Sequence, residues 1–188
     1  MPKSLKLKLE KIRNRKYKLK DFIIADAKDG DLAMGITTPG PLRDNQGKII
    51  QGFKKLKDYK KAMEVMTKSN LVDIMLMSAS VGESLVEKKL FKSSPVTPAI
   101  RMNDTSDIWL MRNSNYRSTN PRPFRSARID RVSKLVNLGL FSVTFSKNVD
   151  FDLAMLNSYR NFRMESLKYK FSHFLEVFNP PIDIGMNN

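Results

Sequence analysis

Five short apolar runs, each closing in polar or charged residues and separated by helix-like stretches, dominate this chain: Phe22 to Ala25, Val72 to Met77, Thr97 to Ile100, Phe141 to Phe145 and Phe174 to Phe178. Brief buried strands alternating with amphipathic helices predict parallel strands joined by crossovers. In sheets of that kind ligands gather beyond the carboxyl ends of the strands. Those ends read Asp26-Ala27-Lys28-Asp29, Ser78-Ala79-Ser80, Arg101-Met102-Asn103-Asp104, Ser146-Lys147 and Glu176-Val177-Phe178-Asn179, and any chemistry is expected there.

The 188 residues suffice for one domain, and a hydrophobic share of 41% suffices for a core. No apolar stretch reaches the roughly 18 residues that cross a bilayer, and the lysine-rich start lacks the apolar middle of a secretory signal. A soluble, cytoplasmic protein without membrane contact is expected. Cysteine is absent and histidine occurs once, which excludes disulfides, thiolate nucleophiles and zinc held by Cys or His clusters. Any metal would be a hard cation held by oxygen.

A net charge of +15 suggests a nucleic-acid partner, because dense Lys and Arg neutralise phosphates. More than half of that excess lies in residues 1–20, where nine Lys or Arg face the single Glu10. Within Ser4 to Asn14, Leu5, Leu9 and Ile12 recur at helical spacing with Ser4 as an N-cap, so a short basic helical arm is expected, solvated rather than gripping RNA. The domain plan is this arm (1–20), a β/α body (21–181) and a tail (182–188).

After the first run, Asp29-Gly30-Asp31 opens a long connection rich in Gly and Pro, read as a loop. Lys54 to Ser69 predicts a helix with Leu56, Tyr59, Met63 and Met66 on one face. Asp73, inside the nearly continuous run Leu71 to Met77, has no evident partner. A second long connection, Asp104 to Arg128, carries Trp109, Tyr116 and Phe124 among Arg112, Arg117, Arg122, Arg125 and Arg128. It suits stacking on single strands, a sugar-phosphate loop, or arginines paired with carboxylates. Ala127 to Leu138 predicts a helix stopped at Gly139. Phe151 to about Phe171 predicts the longest helix, with Leu153, Leu156, Tyr159, Phe162 and Leu167 on its apolar face. His173, at the start of a strand, is read as structural.

Length favours an open doubly wound sheet over a closed barrel, yet no glycine-rich phosphate turn follows the first strand. Several segments together settle the expectation: Asp26-Ala-Lys-Asp-Gly-Asp, Leu71-Val-Asp-Ile-Met-Leu-Met-Ser-Ala-Ser, Ser94-Pro-Val-Thr-Pro-Ala-Ile-Arg-Met-Asn-Asp-Thr-Ser-Asp-Ile-Trp, Arg122-Pro-Phe-Arg-Ser-Ala-Arg and His173-Phe-Leu-Glu-Val-Phe-Asn-Pro. Across about residues 20–181 the chain resembles a little-characterised bacterial family of class I aldolase-like (β/α)8 barrels. The resemblance implies an α/β fold of parallel β/α units, an incomplete TIM barrel of about five strands matching the amino-terminal five-eighths of the family. It also implies a lyase acting on a carbon–carbon bond next to a carbonyl. Such enzymes generally carry their Schiff-base lysine on the sixth strand, so this stretch alone is expected to be impaired.

Lys28 lies between Asp26 and Asp29, whose charges favour its ammonium form, and is expected to serve electrostatics or proton relay rather than imine formation. Asp26, Asp29 and Glu176 are the remaining acid–base candidates. Glu176, inside an apolar run, needs a partner, with Lys28, Arg101 or Lys147 the nearest choices. Arg101 and Asn103 point to one side of their strand and suit a carboxylate or phosphate. With Ser78, Ser80, Asp104 and Asn179 they form the expected binding set for a small carbonyl or phosphorylated substrate. No cofactor is expected. The alternative is magnesium held by Glu176 with Asp104 or Asp26, as in metal-dependent pyruvate-type aldolases. Five strands cannot close a barrel, so self-association through open sheet edges is expected. The competing class is a non-enzymatic basic module that binds RNA.

Overall fold

The computed structural model describes residues 1–103, 124–146 and 148–178. Asp104, Trp109, Arg112, Tyr116, Arg117, Arg122, Lys147 and Asn179 lie outside the described residues, as does the tail 182–188. The strands are β1 (Ala25–Lys28), β2 (Pro41–Arg43), β3 (Ile49–Phe53), β4 (Ile74–Met77), β5 (Thr97–Arg101), β6 (Leu138–Thr144) and β7 (Ser172–Phe178). The helices are α1 (Ser4–Arg13), α2 (Asp31–Met34), α3 (Leu56–Ser69), α4 (Ala79–Glu87), α5 (Ile129–Val132) and α6 (Val149–Lys168).

Five strands form one parallel sheet in the order β1-β4-β5-β6-β7. Each strand joins beside its predecessor, without the reversal that makes a doubly wound sheet. The fold is therefore the expected one, parallel β/α units with the connectivity of an incomplete β/α barrel. By its internal contacts the chain divides into two compact units, Met1–Ala99 and Ile100–Asn188.

In the first unit β1 pairs with β4, Asp26 opposite Met75 and Lys28 opposite Met77. The first apolar run is thus misplaced by three residues: Phe22, Ile23 and Ile24 are an exposed lead-in, and the strand proper carries the charges. All four residues of β4 are buried. Helix α3 buries Tyr59, Met63 and Thr67, spaced four apart, while Leu56 stays exposed. It starts where the Asp58 carboxylate accepts the Lys55 N–H and ends at Asn70 in the left-handed conformation. The long connection after β1 is not merely a loop. It holds α2 and an antiparallel hairpin, β2 on β3, in which Gly52 at φ 107° lets the Leu42 side chain approach closely.

Asp73 finds its partner in the basic arm. Its Oδ2 accepts from Lys8 Nζ at 2.7 Å and from the Ile24 N–H at 2.8 Å. Lys3 Nζ donates to the carbonyls of Phe91, Ser94 and Val96 at 2.7, 2.9 and 2.9 Å, and the Ser4 N–H donates to Pro95 O. Helix α1 is therefore fastened across the amino-terminal ends of β1, β4 and β5, with Lys3 rather than Ser4 in the N-cap position.

In the second unit β5, β6 and β7 pair in parallel, with all seven residues of β6 buried. Gly139 sits inside β6 and does not stop a helix; the expected 127–138 helix shrinks to α5. A Cβ at Gly139 would come within 2.6 Å of the Phe171 ring and 2.7 Å of Met102 Cγ, so glycine is what allows close packing there. Helix α6 starts at Asn148, whose side chain accepts the Phe151 N–H at 3.0 Å, and buries Met155, Phe162 and Ser166. Leu153, Leu156 and Leu167, expected in the core, are exposed. Phe141 stacks on Tyr159 and Phe162, and His173 meets both rings edge-on and hydrogen-bonds Tyr159 Oη at 3.2 Å. Burial holds its imidazole below the ordinary pKa.

Burial works against the Asp73 charge, but Lys8 and the Ile24 N–H overcome it and hold the carboxyl below its ordinary range. A depressed carboxyl contributes stability above its unfolded pKa and loses it as pH falls through the folded value. Thermal melts from pH 6 to pH 3 are therefore expected to show an acid-side loss of stability that is shallower in Asp73→Asn. Lys8→Met is expected to cost about 2 kcal/mol at pH 7 by leaving a buried carboxylate short of a donor.

Candidate functional site

Parallel pairing places the carboxyl ends of β1 and β4 side by side in the first unit, and those of β5, β6 and β7 side by side in the second. Each end set forms its own polar cluster.

The first begins within β1, because Asp26 and Lys28 are strand residues and not loop residues. Two apart on a strand, they share a face, and Lys28 Nζ contacts Asp26 Oδ1 at 2.8 Å. Asp26 Oδ2 is buried without a hydrogen-bond partner. Asp29 follows the strand and begins the turn into α2, where Leu32 N–H donates to its carbonyl. Ser78 caps α4, accepting the Val81 N–H through Oγ at 3.4 Å, and donates that hydroxyl to Asp31 Oδ2 at 2.6 Å. Ser80 Oγ lies 3.5 Å from Ser78 Oγ. Asp31 Oδ1 is buried and unpaired. Burial pushes the Asp31 carboxyl above its ordinary range, with the Ser78 hydrogen bond opposing. Tyr59 is pushed up as well, by burial first and then by the Asp31 and Asp29 charges.

Ser142 organises the second cluster. Arg101 Nη1 donates to Ser142 Oγ at 2.6 Å, and that hydroxyl donates to Glu176 Oε2 at 2.7 Å. Arg101 Nη2 also reaches Glu176 Oε2 at 3.4 Å. Asn103 spends both ends of its amide on one residue: Nδ2 donates to Ser142 O at 2.8 Å, and Oδ1 accepts the Ser142 N–H at 2.7 Å. Its side chain thus continues the β5–β6 ladder past the end of β5, much as another strand residue would. Of the partners considered for Glu176, Arg101 is the one found among the described residues, and Lys147 lies outside them. The Arg101 side chain is 7% exposed and that of Glu176 39%, so the carboxylate is the cluster's opening to solvent. Glu176 Oε1 has no partner among the described residues.

Asp31, Tyr59 and Ser142 escaped the sequence reading. The first two lie in segments read as loop and core face. Ser142 sits inside the apolar run Phe141 to Phe145, where one small hydroxyl gives no pattern; the signal was an Arg and a Glu on flanking strands that needed something to share. Among the described residues no group of three or more His, Asp or Glu is arranged to hold a metal ion. Asp104, a member of the expected magnesium set, lies outside them. No helix among the described residues is long and apolar enough to cross a membrane. No protein-family model matches the chain, and no curated protein matches it.

A buried carboxyl with a raised pKa favours its protonated form when folded, so ionised Asp31 opposes folding as pH rises through the unfolded and then the folded value. Asp31→Asn keeps an acceptor for Ser78 and removes the charge. It is expected to raise Tm at pH 7, corresponding to about 1 kcal/mol, with the gain vanishing below about pH 4. Differential scanning calorimetry of the two proteins at both pH values checks this.

Proposed function

We propose that this chain is an aldolase-like β/α protein that binds a small carbonyl compound at its strand ends and moves a proton at the carbon next to the carbonyl. The observation that carries the reading is the half-exposed Glu176 carboxylate. One oxygen is fixed by Ser142 and Arg101, and the other is open to a ligand. A base for carbon acids must be held rigidly, face the substrate and keep a lone pair free; Glu176 is held by Ser142 and Arg101, opens to solvent and keeps Oε1 unspent among the described residues.

Proton transfer to Oε1 would leave an enolate, the nucleophile of carbon–carbon bond formation and the product of its cleavage. Arg101 steadies the carboxylate and supplies the positive charge of the site, suited to a substrate that carries a carboxylate or phosphate. Ser142 couples the two. Asn103 acts through Ser142 as a positioning residue. The Lys28 ammonium is engaged by Asp26, so the imine-forming role of class I chemistry is assigned to none of the described residues.

The test is hydrogen–deuterium exchange at the α-carbon of pyruvate and of dihydroxyacetone phosphate, followed by proton NMR with the purified chain in deuterated buffer. Exchange above the buffer rate is expected with at least one of them, and Glu176→Gln is expected to lower it about 100-fold. Equal exchange in wild type and Glu176→Gln, or none in wild type with either compound, defeats the proposal.

A further inference from the structure

Helix α6 carries two apolar stripes, and the sheet uses one. Met155, Tyr159, Phe162 and Ser166 face the strands, through Phe141 and His173. Val149, Leu153, Leu156, Met164 and Leu167 form a second line along the helix, and all five are exposed, Val149 to 81% and Leu167 to 74%. Their spacings of three and four residues, with Arg160 filling the one gap, make a continuous seam over the 20-residue helix. A lone exposed leucine is ordinary; a seam the length of a helix marks a contact surface.

The seam lies on the β7 side of the helix. Arg163 reaches over the Tyr159 ring, and Tyr159 bonds His173 of β7, whereas Glu165 on the other flank pairs with Arg125. Beside it Leu175 and Val177 of β7 are also exposed, on the same sheet face as His173, and extend the apolar surface.

The seam reads alike from both ends. Val149 and Leu167 stand equally far from Ser158, as do Leu156 and Arg160, and Leu153 and Met164 nearly so. Charges do not repeat that symmetry but reverse it: Asp150 and Asp152 lie in the first turn, Arg163 and Lys168 toward the last. At about 100° per residue Asp150 and Lys168 fall on one flank of the seam, and Asp152 and Arg163 on the other. Antiparallel helices bring matching flanks together, so each acid would meet a base of the opposite copy.

We propose that the chain forms a two-fold symmetric dimer in which α6 packs antiparallel against α6 of a second copy. Val149 seats against Leu167, Leu153 against Met164, and Leu156 against the aliphatic stem of Arg160, with Asp150–Lys168 and Asp152–Arg163 pairs along the flanks. An isologous interface requires one patch to complement itself, and this patch does so in shape and in charge. Arg160 is the interruption, since its two copies approach each other near the axis.

Sedimentation equilibrium of the full chain is expected to show a monomer–dimer equilibrium. Leu156→Asp, at an exposed position, should weaken it at least about tenfold, and Arg160→Leu should tighten it about tenfold. That gain cannot arise from misfolding. The chain has no cysteine, so direction is tested by crosslinking. Oxidised Val149→Cys/Leu167→Cys should give a covalent dimer. Either single variant should give none, because like residues on the two copies lie about 27 Å apart. A monomer at every concentration with a cooperative melt overturns the proposal. So does a dimer indifferent to Leu156→Asp and Arg160→Leu, one broken instead by Val177→Pro on the free edge of β7, or crosslinking by a single variant.

Discussion

One residue ties three parallel strands together at their amino-terminal ends. The Asp73 N–H donates to Ile24 O ahead of β1, its carbonyl accepts the Thr97 N–H at the start of β5, and its buried carboxylate takes the Ile24 N–H and the Lys8 ammonium. Parallel strands have no hairpins to set their register, so each crossover must return to the right partner. A charge that can be buried in only one arrangement penalises every slipped alternative. It also explains the basic arm. Lys8 neutralises the Asp73 carboxylate and Lys3 satisfies the carbonyls of Phe91, Ser94 and Val96 ahead of β5, so the charge that first suggests a nucleic-acid partner is in part internal to the fold.

The same demand operates in β5 and β7, with a different outcome. Arg101 and Glu176 follow apolar neighbours in their strands, and they meet through Ser142. Asp73 has its partners and is sealed, its side chain 4% exposed. Glu176 is held by one oxygen and open by the other. Both are carboxylates set among apolar residues, Asp73 just ahead of the buried strand β4 and Glu176 within the half-exposed edge strand β7; what separates scaffold from candidate chemistry is the unspent lone pair with access to solvent. Asp31 and Asp26 stand between these cases, each with one oxygen bonded and one buried and orphaned.

Strand type was legible because parallel strands buried on both faces need continuous apolar runs, and all five runs overlap the strands they predict, the first at Ala25 alone. Boundaries were less so. At β1 the apolar residues Phe22 to Ile24 are the exposed lead-in, and the pairing belongs to Ala25–Lys28, an edge strand whose charges point along one face. Hydrophobicity marks burial, and an edge strand can pair without being buried. Gly139 misled for a related reason: glycine signals both a helix stop and a close approach, and only the Phe171 ring and Met102 beside it decide which. The β2–β3 hairpin lacks clean alternation, in keeping with the exposure of every residue of β3. Arg101, Asn103 and Glu176 were legible one by one, but Ser142, which unites them, was not.

Helix α6 shows where a one-face reading fails. An amphipathic pattern is expected to name the face toward the core, yet of the residues chosen by hydrophobicity Leu153, Leu156 and Leu167 are exposed and Phe162 is covered, beside Met155 and Ser166. Ser166 is buried because its hydroxyl bonds the Phe162 carbonyl one turn back at 2.8 Å and so needs no water. A small, self-satisfied residue completes the covered face beside Met155 and Phe162, and the leucines lie on the flank. Close packing on the sheet and a leucine seam toward solvent are thus two consequences of one helix orientation. With Met155 and Phe162 turned to the sheet, the outward leucines leave the helix a second apolar line to cover.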